Sequence, residues 1–271
     1  PLVFYLLFSY NSLVGRSDDR RPVMRTARPT PLVGDKKMVQ SSIIYRGPSL
    51  IDPRENIVVV AIVKTRNTKT GDMVQTYILC DNGLDPMLNN KLGHDYAICG
   101  DCIHKGQAVS AAETDYTGKH AKKRTCYVKL FQGVLHVWKH VQKGGYPVAS
   151  GHDAIAALGA GRMVRIGTYG DGAAVPRYIW DSLLTDAVGH TAYSHQENVD
   201  GVEVDPNLYM ISADTKAEAI AAWQDGKRTF RVIDNTSDIV AGSEILCPAS
   251  KEAGRRATCD TCKLCAGASK Q

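Results

Sequence analysis

Seven of the eight cysteines fall into two groups whose spacing suits metal ligation. Near the C-terminus, Cys259-x2-Cys262-x2-Cys265 follows Cys247-Pro248, with eleven residues between Cys247 and Cys259. Three thiolates two residues apart can wrap one face of an iron–sulfur cluster while a remote cysteine closes it. Zinc is the direct rival, although four-thiolate zinc sites more often use paired C-x2-C units. Free or disulfide-bonded thiols are the third reading. The other group is Cys99-x2-Cys102, followed after 23 residues by Cys126-Tyr127. Three thiolates leave a fourth position. His104 or Cys80 would close it into a structural site, and an open position would admit a substrate or cofactor. Cys80 alone reads better as a small buried hydrophobe.

Acid–base groups come next. Asp171, His195 and Asp214 each follow a segment of strand character. In parallel α/β folds, function gathers at the carboxyl ends of the strands. These three are the candidate catalytic residues, with Cys247 on the same rim. The loop Thr168-Tyr169-Gly170 lies inside Gly167-x2-Gly170-x-Gly172 and could cradle a phosphate or cofactor, although the spacing is not that of a dinucleotide or P-loop motif. Each residue has a plainer role: Asp214 as a helix cap, Asp171 in a turn, His195 in the core or on a metal. Lys227, Arg228 and Arg231 form either a solvated basic edge or a phosphate site. No G-x-S-x-G elbow, H-E-x-x-H helix or H-x-E…P-C-x-x-C signature is present.

The elements that must position these groups follow from periodicity. Segments 42–51, 56–65 and 73–80 read as strands; the second carries IVVVAIV, a run suited to the centre of a sheet. Residues 86–92 read as a short helix, and 99–125 as irregular. Helices are predicted at 134–143, 153–158, 176–187 and 216–225, and strands at 163–167, 190–195, 208–212, 229–233 and 244–246. Strand–helix alternation with short connections predicts an α/β fold of mostly parallel βαβ units. These would form a partial or complete barrel-like sheet, with an open doubly wound sheet as the competitor.

The 271 residues carry a net charge of +5. Residues 1–40 hold seven Lys/Arg against three Asp, so the rest is close to neutral and has no overall nucleic-acid footprint. Three parts are predicted: a disordered basic leader at 1–40, an α/β domain at 41–246 and a cysteine-rich metal-binding tail at 247–271. The leader reads as upstream sequence with the start at Met24 or Met38, or else as a basic arm for nucleic acid. The apolar opening PLVFYLLF is far shorter than the ~20 residues a membrane helix needs. With no secretory signal pattern, the cysteines are read as thiols of a reducing compartment.

The segments IIYRGPSLID, ICGDC, CYV, VRIGTYGD, HTAYSHQ, ISADT, RTFRV and ILCPAS-x7-TCDTCKLC resemble an uncharacterised family of tailed-bacteriophage proteins over residues 42–267. That resemblance implies a host bacterial cytoplasm and no membrane partner. A weaker similarity, carried by three cysteines with Tyr after the last, is to radical S-adenosylmethionine barrel enzymes, some of which add a C-terminal auxiliary cluster. The spacing here is C-x2-C-x23-C in place of C-x3-C-x2-C. By that similarity Cys99, Cys102 and Cys126 would hold a cluster whose open iron binds S-adenosylmethionine.

The expectation is therefore a phage metalloprotein with two cysteine sites, iron–sulfur or zinc. Its reaction would be a redox or radical modification of a nucleotide or nucleic acid. The alternative is a non-enzymatic zinc protein that binds nucleic acid or a protein partner through its basic tail.

Overall fold

A computed structural model describes residues 5–9, 39–65, 67–113 and 115–267. Most of the segment read as a leader lies outside these residues, including Met24 and Met38. Tyr5–Ser9 forms a strand, β1, discussed below.

The first sheet begins with a meander. β2 (Ser42–Pro48), β3 (Asn56–Ile62) and β4 (Val74–Cys80) pair antiparallel, β3 in the centre. The connections are too short for the crossover that parallel pairing needs. The β-branched run of β3 is buried on both faces, as expected for an interior strand. A long excursion then carries α1 (Pro86–Leu92), α2 (Tyr96–Cys99), α3 (Leu135–Gln142) and α4 (His152–Gly159). It returns as β5 (Met163–Tyr169), parallel to β4. α5 (Arg177–Leu184) crosses over to β6 (Gly189–Thr191), parallel to β5. The order is β2-β3-β4-β5-β6.

Ala192 ends β6 and begins a second sheet. Its N–H donates to the Cys265 carbonyl and its carbonyl accepts from Met210 N–H. The single strand expected over 190–195 is therefore divided. β7 (Tyr193–Ser194), β8 (Met210–Ala213) and β9 (Thr229–Ile233) run parallel, with α6 (Lys216–Gln224) between β8 and β9. β1 pairs antiparallel with β9 on one side and with β10 (Glu244–Leu246) on the other. α7 (Cys259–Cys262) lies in the C-terminal segment.

The chain is thus a mixed α/β fold of two open sheets, and the closed barrel and uniformly parallel sheet do not form. Parallel pairing is confined to β4-β5-β6 and β7-β8-β9; the meander and β10 are antiparallel. Among the described residues, no helix is long and apolar enough to cross a membrane.

The main core lies under the first sheet. Trp180 of α5 is fully buried, and its indole N–H donates to the Gly172 carbonyl at 2.9 Å. α4 and α5 touch at Gly159, where an added Cβ would run into the Leu183 carbonyl oxygen. Alanine ordinarily favours a helix over glycine by ~1 kcal/mol. Here Gly159→Ala is expected to lower stability by ~1–3 kcal/mol, because the obstacle is backbone and the helices must part. A lower thermal midpoint checks this; an unchanged or raised one contradicts it.

Candidate functional site

Three thiols and a polar rim meet at the carboxyl ends of β5, β7 and β8. A cavity of about 120 Å³, partly open to solvent, is lined by Cys99, Cys102 and Cys126. Thr168, Tyr169, Gly170, Asp171 and His195 line it too, so the predicted loop, two candidate catalytic residues and the first cysteine group share one site. Lys105 and Arg124 add positive charge to its wall.

Local structure explains how the cysteines arrive. α2 is one turn long and ends at Gly100, which has a positive φ (+47°). A side chain there would occupy the place of the Gln196 amide. Gln196 is fully buried and clamps the Cys99–Cys102 turn. Its Nε2 donates to the Cys99 carbonyl (3.0 Å) and Asp171 Oδ2 (2.9 Å), and its Oε1 accepts from Asp101 N–H (3.1 Å). The sequence reading did not single out Gln196; the only available signal was glycine between two cysteines.

Asp171 is a hub. Its Oδ1 accepts from Ala173 N–H (3.0 Å); its Oδ2 accepts from Ser194 Oγ (3.1 Å), His195 N–H (2.9 Å) and Gln196 Nε2. A carboxylate so occupied holds β7 and its following loop in place. The glycine loop before it serves packing: a Cβ at Gly170 (φ +81°) would press on Ile78 of β4.

Asp214 is not a helix cap. Thr215 caps α6 through a capping box with Glu218, whose Oε2 also accepts from the Asp214 N–H at 2.7 Å. The Asp214 carboxylate is left to face two imidazoles. His104 Nε2 lies 3.2 Å and His195 Nε2 3.5 Å from Asp214 Oδ1. Cys102 Sγ is 3.9 Å from His195 Nε2. Burial works to lower the His195 pKa. Hydrogen bonds to Asp214 and Cys102, with their charges, outweigh it and push the value up to about 10. Burial works to raise that of Asp214, and His104 and His195 hold it well below the usual carboxylate range. His104, a suggested fourth ligand of the thiol triple, is directed to Asp214 instead.

Cys99, Cys102 and Cys126 are half-buried. Burial, reinforced by Asp95 and the neighbouring thiols, pushes Cys99 well above its ordinary range. Burial also raises Cys126, partly offset by Arg124. Such thiols release their protons when a metal takes their place. Arg124 Nε and Tyr169 Oη are buried and have no hydrogen-bond partner among the described residues. Cys80 is a core residue whose Sγ faces the His94 carbonyl at 3.4 Å, matching its bland reading.

The second cysteine group assembles behind the cavity. Cys247 and Cys265 are buried with Met210 and Ala249; Cys259, Tyr193 and Phe230 pack against them. Tyr193 and Phe230 also line the cavity, so Cys247 lies behind this wall rather than on the rim. α7 docks on the β3–β4 connection, Cys259 N–H donating to the Lys69 carbonyl and Asp260 N–H to that of Thr70. Burial raises Cys247, Cys259 and Cys265, and the charges of neighbouring thiols, Cys262 included, add to it. Arg165 Nε is a further buried donor without a partner among the described residues; its guanidinium feels Cys259 and Cys265, while its Nη2 donates to Tyr127 Oη at 2.7 Å.

The expected basic edge does not form. Arg228 holds the tail by donating to the carbonyls of Leu264, Ala266 and Gly267, and Arg231 pairs with buried Glu244. Lys227 pairs with Glu197. Internal carbonyls and carboxylates have taken the charges that a phosphate would need.

No family model matches the chain, and no curated protein or solved structure is significantly similar to it.

Proposed function

We propose that this is a metalloprotein with two thiolate-ligated centres, one opening on a reactive cavity. Cys99, Cys102 and Cys126 would hold the first; Cys247, Cys259, Cys262 and Cys265 the second. The observation that carries the reading is the convergence of three half-buried thiols on a cavity where two buried donors, Arg124 Nε and Tyr169 Oη, lack partners among the described residues. Thiolates and cluster sulfides are the acceptors such donors suit.

Zinc and iron–sulfur clusters impose different spacings on their thiolates. Four thiolates about 2.3 Å from one zinc lie about 3.8 Å apart. Among the described residues, no three cysteine sulfurs come within 4.8 Å of one another. A cluster of several irons holds its thiolates farther apart. The non-enzymatic zinc reading is the second, and thiols gathering to that shorter spacing around zinc would favour it.

The activity in this reading is a redox or radical modification of a nucleotide or nucleic acid. The substrate class rests on the positive charge of Lys105 and Arg124 in the wall, although both side chains also donate to backbone carbonyls, those of Gly100, Cys126 and Val128. The cavity's 120 Å³ is well below the ~300–1,000 Å³ of a typical small-molecule site. S-adenosylmethionine would therefore have to reach the first centre from the solvent side.

Single-site variants test the assignment. Cys99→Ser is expected to remove the metal of the first centre and leave the second. Cys262→Ser is expected to do the reverse. Metal and acid-labile sulfide, measured on anaerobically purified protein, check both. Unchanged content in both variants would overturn the assignment.

A further inference from the structure

Outside the two cysteine groups, one cluster has the geometry of a metal site. Among the described residues, His104 Nε2, His195 Nε2 and Asp214 Oδ1 are the only three such ligand atoms within 4.8 Å of one another. We propose that His104, His195 and Asp214 bind a mononuclear divalent transition-metal ion, a third metal site beside the first thiolate centre, whose Cys102 Sγ lies 3.9 Å from His195 Nε2.

Distance is the first argument. A charge-assisted N–H···O bond between imidazolium and carboxylate is usually about 2.7–2.9 Å long. The two contacts here are 3.2 and 3.5 Å. Nitrogen and oxygen ligands about 2.05 Å from one tetrahedral ion lie about 3.3 Å apart. The observed pair brackets that value and is long for direct hydrogen bonds.

Orientation is the second. The imidazoles stand at 74° with centroids 5.9 Å apart, so both Nε2 atoms address one carboxylate oxygen without stacking. The His104 ring is held from behind: its Nδ1 lies 2.8 Å from Thr125 Oγ1. Such a hydrogen bond sets the tautomer and ring direction of a metal-bound histidine. Asp214 is free to ligate because Thr215 has taken the cap of α6.

Accessibility is the third. The side chains of His104, His195 and Asp214 retain 25%, 22% and 19% of their exposure. Two histidines and one carboxylate leave coordination positions open, the pattern of non-haem iron(II) sites and of catalytic zinc sites. Water or a small oxygen-donor ligand would take them, beside Cys102 and the cavity.

Manganese(II) is a suitable probe, since it prefers nitrogen and oxygen donors and binds thiolates poorly. The full-length protein, with its thiolate centres as purified, is titrated with manganese(II) and the free-ion paramagnetic resonance signal is followed. One ion per chain is expected, with spin-echo modulation from two imidazole nitrogens. Asp214→Asn and His104→Ala should weaken binding at least tenfold. Thr125→Val should weaken it about tenfold, and Thr125→Ser should restore it. Thr125 variants leave all three ligands in place and guard against misfolding in the ligand variants. Absence of binding below millimolar manganese, or no imidazole coupling, or full affinity in all three weakening variants, would overturn the proposal. Each readout is independent of iron and sulfide content, so this site and the thiolate centres can fail separately.

Discussion

Replacing Glu244 by alanine is expected to lower the unfolding free energy by about 3–5 kcal/mol. Glu244 and Arg231 form a two-pronged pair, Nε to Oε1 at 3.0 Å and Nη2 to Oε2 at 2.8 Å, with side chains 1% and 6% exposed. The carboxylate also accepts from Val240 N–H, and the guanidinium donates to the Asp238 carbonyl. The pair bridges β9 and β10, which flank β1. Alanine leaves a guanidinium buried without its counter-ion, and that desolvated charge is the source of the cost. Removing both charges together, as Arg231→Met with Glu244→Leu, should restore much of the loss. Urea unfolding reads the effect as a lower midpoint at unchanged slope. A loss under about 1 kcal/mol would show that Arg231 reaches water when unpaired, contrary to this account.

Asp171→Ala is expected to cost about 3 kcal/mol and to detach the first cysteine turn from β7. Four donors would lose one acceptor, and each buried donor left unsatisfied costs ~1–3 kcal/mol, less where it relaxes toward another partner. Ser194, His195 and Gln196 all hang on Asp171 Oδ2. Through Gln196 the effect reaches the Cys99 carbonyl and Asp101. The variant should therefore lose metal from the first centre more than from the second. Unchanged stability and metal content in the variant would contradict this positioning role.

Local patterns predicted much of this architecture. The IVVVAIV run marked an interior strand of the first sheet, and helix 86–92 and strands 229–233 and 244–246 match their sequence bounds. Strand ends located Asp171, His195 and Asp214, which follow β5 of the first sheet and the parallel neighbours β7 and β8 of the second. What could not be read locally depends on distant backbone. Ala192 interrupts a good strand sequence because its N–H is taken by Cys265, 73 positions away. Antiparallel pairing of the first three strands follows from connection length, which the strand–helix rhythm of the later chain masked. Asp214 and Thr215 are both acceptable caps by type; only the capping box with Glu218 decides between them. His104 lies in a segment without periodicity, so nothing in its neighbourhood announces Asp214 as its partner.

The central claim is that both cysteine groups hold metal. Its most direct test is quantification of iron, zinc and acid-labile sulfide, with the visible spectrum, on full-length protein purified without oxygen. The account predicts brown protein with broad visible absorbance, several irons per chain, matching sulfide, and Cys80 as the one thiol that stays unligated. Protein with neither iron nor zinc above trace, and all eight thiols free to react after unfolding, would contradict it.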